Sequence, residues 1–167
     1  MLVPLARDIA ERVHGNQVDK KDYPYVAHIL DVASRVAHLG ESYEVVGLLH
    51  DAIEDADPAE FQAQIIGEIN DTFDDEISDA IKAMTKSDDE DYFTQYLPKL
   101  RQNKIALQVK IADASHNLSK ALLIDDIGTQ NKMRSKYTRV LNELGVDGHA
   151  MEKPLIFEDG AWIEAAR

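Results

Sequence analysis

His50 and Asp51 stand side by side in the run Gly47-Leu48-Leu49-His50-Asp51-Ala52-Ile53-Glu54-Asp55. The pair closes an apolar helical stretch, and two more carboxylates follow one turn later. At i, i+4 spacing Glu54 falls near His50 and Asp55 near Asp51. A surface helix has no need to gather an imidazole and three carboxylates beside Leu48, Leu49 and Ile53. A divalent metal ion does: imidazole nitrogen and carboxylate oxygen are its ligands, and the remaining carboxylates can orient and deprotonate a bound water. Two other segments carry the same residue types. Pro24-Tyr25-Val26-Ala27-His28-Ile29 opens a helix with a His near its start, and Lys110-Ile111-Ala112-Asp113-Ala114-Ser115-His116-Asn117 places an Asp at the end of an apolar run. Alone, His28 reads as a hydrogen-bonded core histidine and His50-Asp51 as an ordinary helix end. Taken together, in the order H, HD, D, the three segments point to one metal centre.

The elements that must position these residues are helical. Leu5, Ile9 and Val13 recur at four-residue steps, with Gly15 as a stop. A second helix is expected over 25–39, with Ile29, Val32, Ala33 and Val36 inward and Gly40 past its end. Ser42 is the expected N-cap of the helix that carries His50. Asp57-Pro58 reads as N-cap and first helical residue, with Glu60 at the capping-box position and Phe61, Ile65, Ile66 and Ile69 facing inward. Further helices are expected over 74–85 (Ile77, Ile81, Met84), 92–101, 103–123 and 126–144. The acidic run 87–91 reads as a loop and helix start. Near the C-terminus, Asp159-Gly160 is a turn signal between two short apolar runs. The expectation is all-α: one domain over 1–167, its core about 5–145, with a short C-terminal hairpin or extended tail over about 146–167. Of the other histidines, His38 and His116 are expected to be structural, and His14 and His149 to lie on the surface.

Composition narrows the function classes. The chain has 167 residues, 44% of them hydrophobic, enough for one real core. With no Cys there is neither a disulfide framework nor a cysteine-ligated zinc site. No signal peptide and no membrane helix are expected, which suits a cytoplasmic protein. A net charge of −13 repels a nucleic-acid backbone. It still admits a small anionic substrate, provided that a metal and a few local Lys residues reverse the field in the cleft.

The H, HD, D order resembles the HD-domain metal-dependent phosphohydrolases. The Glu54-Asp55 pair, the Ala83-Met84-Thr85-Lys86 tetrapeptide and the stretch from Lys110 to Leu118 look like the alarmone (ppGpp) hydrolase branch, the hydrolase half of RelA/SpoT-type proteins and their stand-alone relatives. The resemblance covers roughly residues 5 to 145. It implies an HD-type helical bundle in which His28, His50, Asp51 and Asp113 hold one divalent ion. Such mixed ligation suits Mn²⁺, Fe²⁺, Co²⁺, Ni²⁺ or Zn²⁺ better than Ca²⁺, and the resemblance favours Mn²⁺. It further implies that Glu54 and Asp55 handle the attacking water and that Asn117 contacts the substrate ribose. Lys20, Lys21 and Tyr25 lie where the family reads nucleobase and phosphate. Lys110, three residues before Asp113, is placed to orient the ligands or neutralise phosphate. Lys86, Lys120, Lys132 and Arg134 are further candidates for a pyrophosphate grip.

The chain departs from the family pattern at several places. His28 is followed by Ile29 where the family has Pro. Asp19 and Asp22 stand where the family has an Arg and a Gly, and Ala114 stands for the Arg after the metal-binding Asp. The metal and water groups are intact while the base-reading loop is altered. The first expectation is removal of a 3′-pyrophosphate from a guanosine (or adenosine) tetraphosphate, by a stand-alone hydrolase since no synthetase region follows. The second is a phosphatase of a simpler nucleotide or nucleotide cofactor. The third is a nucleotide-binding module without turnover.

Overall fold

Gly47 is where the two helices that carry the histidines touch. In the computed structural model, which describes residues 1–165, α2 (Tyr25–Val36) and α3 (Glu41–Leu49) approach so closely that a Cβ on Gly47 would lie 2.8 Å from the Cα of Ala33. Val45, Val46, Gly47, Leu48 and Leu49 are all buried. A helix whose second half is buried on every side runs into the centre of a bundle. Around it pack α1 (Val3–His14), α6 (Asp75–Met84) and α8 (Lys104–Ala121), while α4 (Ala52–Asp55) leads into α5 (Ala59–Thr72) and α9 (Ile127–Glu143) lies against α8. The expected inward positions of α2 and α6, and Ile65 and Ile69 of α5, are buried in one continuous core.

Short polar side chains set the starts of α6, α8 and α9. Asp74, Asn103 and Asp126 accept hydrogen bonds from the backbone amides of Ile77, Ile105 and Thr129 respectively, satisfying donors that a helix leaves free. Two expected starts differ. The N-cap of α3 is Gly40 rather than Ser42: after α2 the chain makes a 3₁₀ turn (Ala37–Leu39) and reverses at Gly40, whose φ of 133° suits glycine. The N-cap of α5 is Pro58, in extended conformation, so Glu60 sits at the second helical position and no capping box forms. In α1 the inward face is Ala6, Ile9, Ala10 and His14, with Leu5 half exposed. Small alanines allow close packing there, and a count of large apolar residues passes over them.

Residues 92–101 are helical in two parts. Asp91 caps a π-helical turn (Tyr92–Tyr96), which passes into α7 (Leu97–Leu100). Pro98 explains the widening, because its ring would clash with the carbonyl of Thr94 in a regular α-turn. After α10 (Gly148–Met151), strands β1 (Leu155–Glu158) and β2 (Ala161–Glu164) pair antiparallel, with Phe157 opposite Trp162. Asp159 and Gly160 both have positive φ, as the two-residue hairpin turn requires. Leu155 and Trp162 pack on Ala27, Tyr23 and Leu123, so the hairpin braces the chain just ahead of His28. No helix among the described residues is long and apolar enough to cross a membrane.

Candidate active site

Three helices deliver the central cluster. His28 lies in the first turn of α2, His50 directly follows α3, and Asp113 lies in the middle of α8. One ligand atom from each comes within 4.8 Å of the others, and all three residues are buried. His28 Nε2 is 3.2 Å and His50 Nε2 3.7 Å from Asp113 Oδ1. Both ring nitrogens are buried without a hydrogen-bond partner. Buried polar atoms are normally satisfied, and a divalent cation would satisfy these two and the carboxylate together, so the residues fit such an ion. Asp51 stands beside the cluster: its Oδ2 is 3.1 Å from His50 Nε2 and accepts a 2.6 Å hydrogen bond from Tyr25.

The far nitrogens of the two histidines fix their orientation. His50 Nδ1 donates to the carbonyl of Gly47 at 2.7 Å, leaving Nε2 as the free lone pair. His28 Nδ1 meets His116 Nδ1 at 2.6 Å. Burial, and then the neighbouring His28, lower the pKa of His116, so its ring is neutral. Its Nε2 faces Asp31, 3.6 Å away, which also pairs with Arg35. With its proton toward Asp31, His116 accepts from His28 Nδ1 and leaves His28 Nε2 free for a metal. The cluster also calls for positive charge. Burial opposes ionisation of His50, yet Asp51 and Asp113 outweigh it and raise its pKa. Tyr25 is shifted up by burial and by Asp51, so it remains a hydrogen-bond donor.

Glu54 and Asp55 end α4 and line a cleft of about 510 Å³ with Gln62, Thr85, Lys86 and Ser87. Partial desolvation in the cleft raises the pKa of Glu54, against a hydrogen bond from the Lys86 amide. Asp55 accepts from Gln17 at 3.0 Å, and Gln17 Oε1 lies 2.7 Å from His14 Nδ1. His14 is therefore fully buried instead of at the surface, being carried inward on the alanine face of α1. The spacing from Ala10 could have indicated this; nothing local marks Gln17. His38, expected to be structural, is exposed, and His149 is exposed as anticipated.

On α8, Lys110 Nζ donates to Asp113 Oδ2 and Asn117 Nδ2 to Asp113 Oδ1, each at 2.8 Å. Lys20, Lys21, Tyr25 and Asn117 line a second cleft, of about 300 Å³, together with Met133 and Tyr137. Tyr25 joins the two regions through its bond to Asp51. Asp19 accepts from the amides of Lys21 and Tyr23 and pairs with Lys120, so it organises the loop. Asp22 takes φ 62°, and so preserves a left-handed position without glycine. Of the cations proposed for phosphate, Lys21 pairs with Asp125 and Arg134 with Glu152; Lys132 is exposed.

Residues 6–126 match the HD domain family. A probable GTP pyrophosphokinase of Mycobacterium leprae is 26% identical over 127 residues, 70% of this chain and 15% of that protein. A guanosine-3′,5′-bis(diphosphate) 3′-pyrophosphohydrolase of Aquifex aeolicus is 34% identical over 83 residues, 48% and 11% respectively. A GTP pyrophosphokinase of Myxococcus xanthus is 28% identical over 156 residues, 81% and 19%. The chain thus spans less than a fifth of each of these relatives. A solved structure of a metazoan ortholog of SpoT that hydrolyzes ppGpp superposes with TM-score 0.71 at 17% identity, covering 90% of this chain and 89% of that one. The helical bundle, the order of its histidines and aspartates, and the family match over residues 6–126 have one reading: the chain belongs to the HD-domain family.

Proposed function

We propose that this protein is a cytoplasmic, metal-dependent pyrophosphohydrolase that removes the 3′-pyrophosphate of a guanosine tetraphosphate-type alarmone, leaving a nucleoside diphosphate. The observation that carries the reading is the convergence of His28, His50 and Asp113, with the unpartnered nitrogens of both histidines, on a site flanked by Glu54 and Asp55. The relatives named for ppGpp hydrolysis support the substrate. His28, His50 and Asp113, with Asp51 beside them, would hold the ion, Mn²⁺ by family resemblance. Bound there, it would polarise phosphate oxygen and lower the pKa of water.

The protein's own groups do the rest. Glu54, with its raised pKa, accepts the proton of the attacking water. Gln17 holds Asp55 in place beside it. Tyr25 keeps Asp51 oriented. Lys110 and Asn117, which bond Asp113, would meet the phosphates and the ribose, and Lys20 and Lys21, which line the second cleft, would meet the incoming nucleotide.

A second reading, a phosphatase acting on another nucleotide, is favoured by one observation: the loop that would read the base carries the Asp19–Lys120 pair. Phosphorus NMR of reactions with Mn²⁺ and guanosine tetraphosphate, its adenosine counterpart or nucleoside monophosphates separates the two. Pyrophosphate as the first product is expected; orthophosphate as the sole initial product overturns the first reading. Absence of turnover on every substrate would leave a binding module.

A further inference from the structure

Resting on the phosphohydrolase reading, we propose that Lys136 of α9 and Lys20 of the loop before α2 form a diphosphate-binding mouth over the metal cluster. Lys136 Nζ lies 5.3 Å from the ring centroids of both Tyr92 and Tyr137. Lys110 Nζ, which bonds Asp113, lies 5.8 Å from the same Tyr92 ring. The two ammonium groups therefore share one aromatic wall, and one of them is attached to the cluster itself. Tyr137 and Lys20 line the same cleft, and the Lys20 charge is near enough to act on Lys136.

Charge accounting points to an anion. The protein has 31 acidic residues against 18 Lys and Arg. Three neighbouring cations are matched: Lys21 by Asp125, Lys110 by Asp113, Lys120 by Asp19. Lys20 and Lys136 pair with no carboxylate among the described residues. Partial desolvation lowers the pKa of Lys136; Lys110 lowers it further, Asp113 opposes the shift, and Lys20 adds to it. The two tyrosine faces steady the lysine by cation–π attraction without consuming its three N–H donors. Two such ammonium groups on separate elements suit the several oxygens and multiple charge of a diphosphate better than a single carboxylate.

Titration calorimetry of inorganic pyrophosphate into the Mn²⁺-loaded protein, with metal at equal concentration in cell and syringe, tests the assignment without requiring turnover. Lys136→Ala should weaken binding about 10-fold or more, and Lys136→Arg should stay within a few fold of wild type. Lys82→Ala, an exposed site on α6, should leave it unchanged and so separates a local contact from loss of net charge. Absence of pyrophosphate binding by the wild type, or equal losses in Lys136→Ala and Lys82→Ala, overturns the proposal. A protein that binds pyrophosphate through Lys136 but turns over no nucleotide would keep this site and reject the enzymatic reading.

Discussion

His116 does for His28 what the Gly47 carbonyl does for His50: each engages the far ring nitrogen and leaves Nε2 free. A metal-binding histidine without that partner is free to rotate or change tautomer, and such losses typically weaken metal binding about 10–100-fold. His116→Phe keeps an aromatic ring at this buried position but strands the buried Nδ1–H of His28. We expect metal affinity, measured by competition with a chelating dye, to fall within that range, with His116→Asn recovering part of it as an acceptor. Unchanged affinity in His116→Phe would show that His28 is held by its packing alone. Glu54 calls for a different signature. Gln at this position can still accept the Lys86 amide, so the local geometry survives while the base is lost. Glu54→Gln should keep full metal content and lose about 10²–10⁴-fold in kcat. Normal turnover by that variant would assign the proton to another group.

Between elements, the contact that matters most for the site is α2 on α3, because it sets the separation of His28 and His50. A Cβ on Gly47 would meet a backbone atom of Ala33, which cannot swing aside, so Gly47→Ala must spread the two helices. Overpacking of this kind costs about 1–3 kcal/mol. The displacement would pass directly to His50, whose ring is bonded to the Gly47 carbonyl. Gly67 on α5 is the control, since nothing lies within 4 Å of a Cβ there; Gly67→Ala should be neutral or stabilising by up to about 1 kcal/mol. Thermal unfolding and metal affinity of both variants test this, and a Gly47→Ala protein as stable and as tightly metal-bound as wild type would refute it. The same contrast explains what could be read from the sequence. Helices α6, α8 and α9 were legible to within a residue or two, because Asp74, Asn103 and Asp126 are local cap signals and the hairpin turn is written in Asp159-Gly160. The start of α3 and the inward face of α1 were not, since they depend on a reversal at Gly40 and on alanines that carry no periodic signal. His28, His50 and Asp113 stood out because residue type and order survive without geometry. Gln17, Lys136 and the part played by His116 did not: Gln17 meets Asp55 across 38 residues and His28 meets His116 across 88, and only folding makes those pairs.

For the whole molecule the governing quantity is charge. At −13 the surface repels itself in the compact state, which favours unfolding. Added salt shortens the screening length from about 30 Å at 0.01 M to roughly 8 Å at 0.15 M, and so weakens repulsion between distant surface charges far more than it weakens buried contacts. Raising NaCl from about 0.01 M to roughly 0.3 M at pH 7, with a chelator present to keep metal binding out of the comparison, should therefore raise Tm. A gain of about 1–2 kcal/mol corresponds to a rise of roughly 2–8 °C for a chain of this size. The sign follows from net charge and not from any single pair, which gives a second condition. Near the isoelectric point, about 4.7, net repulsion vanishes and the same salt step should give little or no rise. An equal rise at both pH values would mean that salt acts on hydrophobic burial. A fall at pH 7 would mean that the surface ion pairs outweigh the repulsion, contrary to the small contribution exposed pairs usually make.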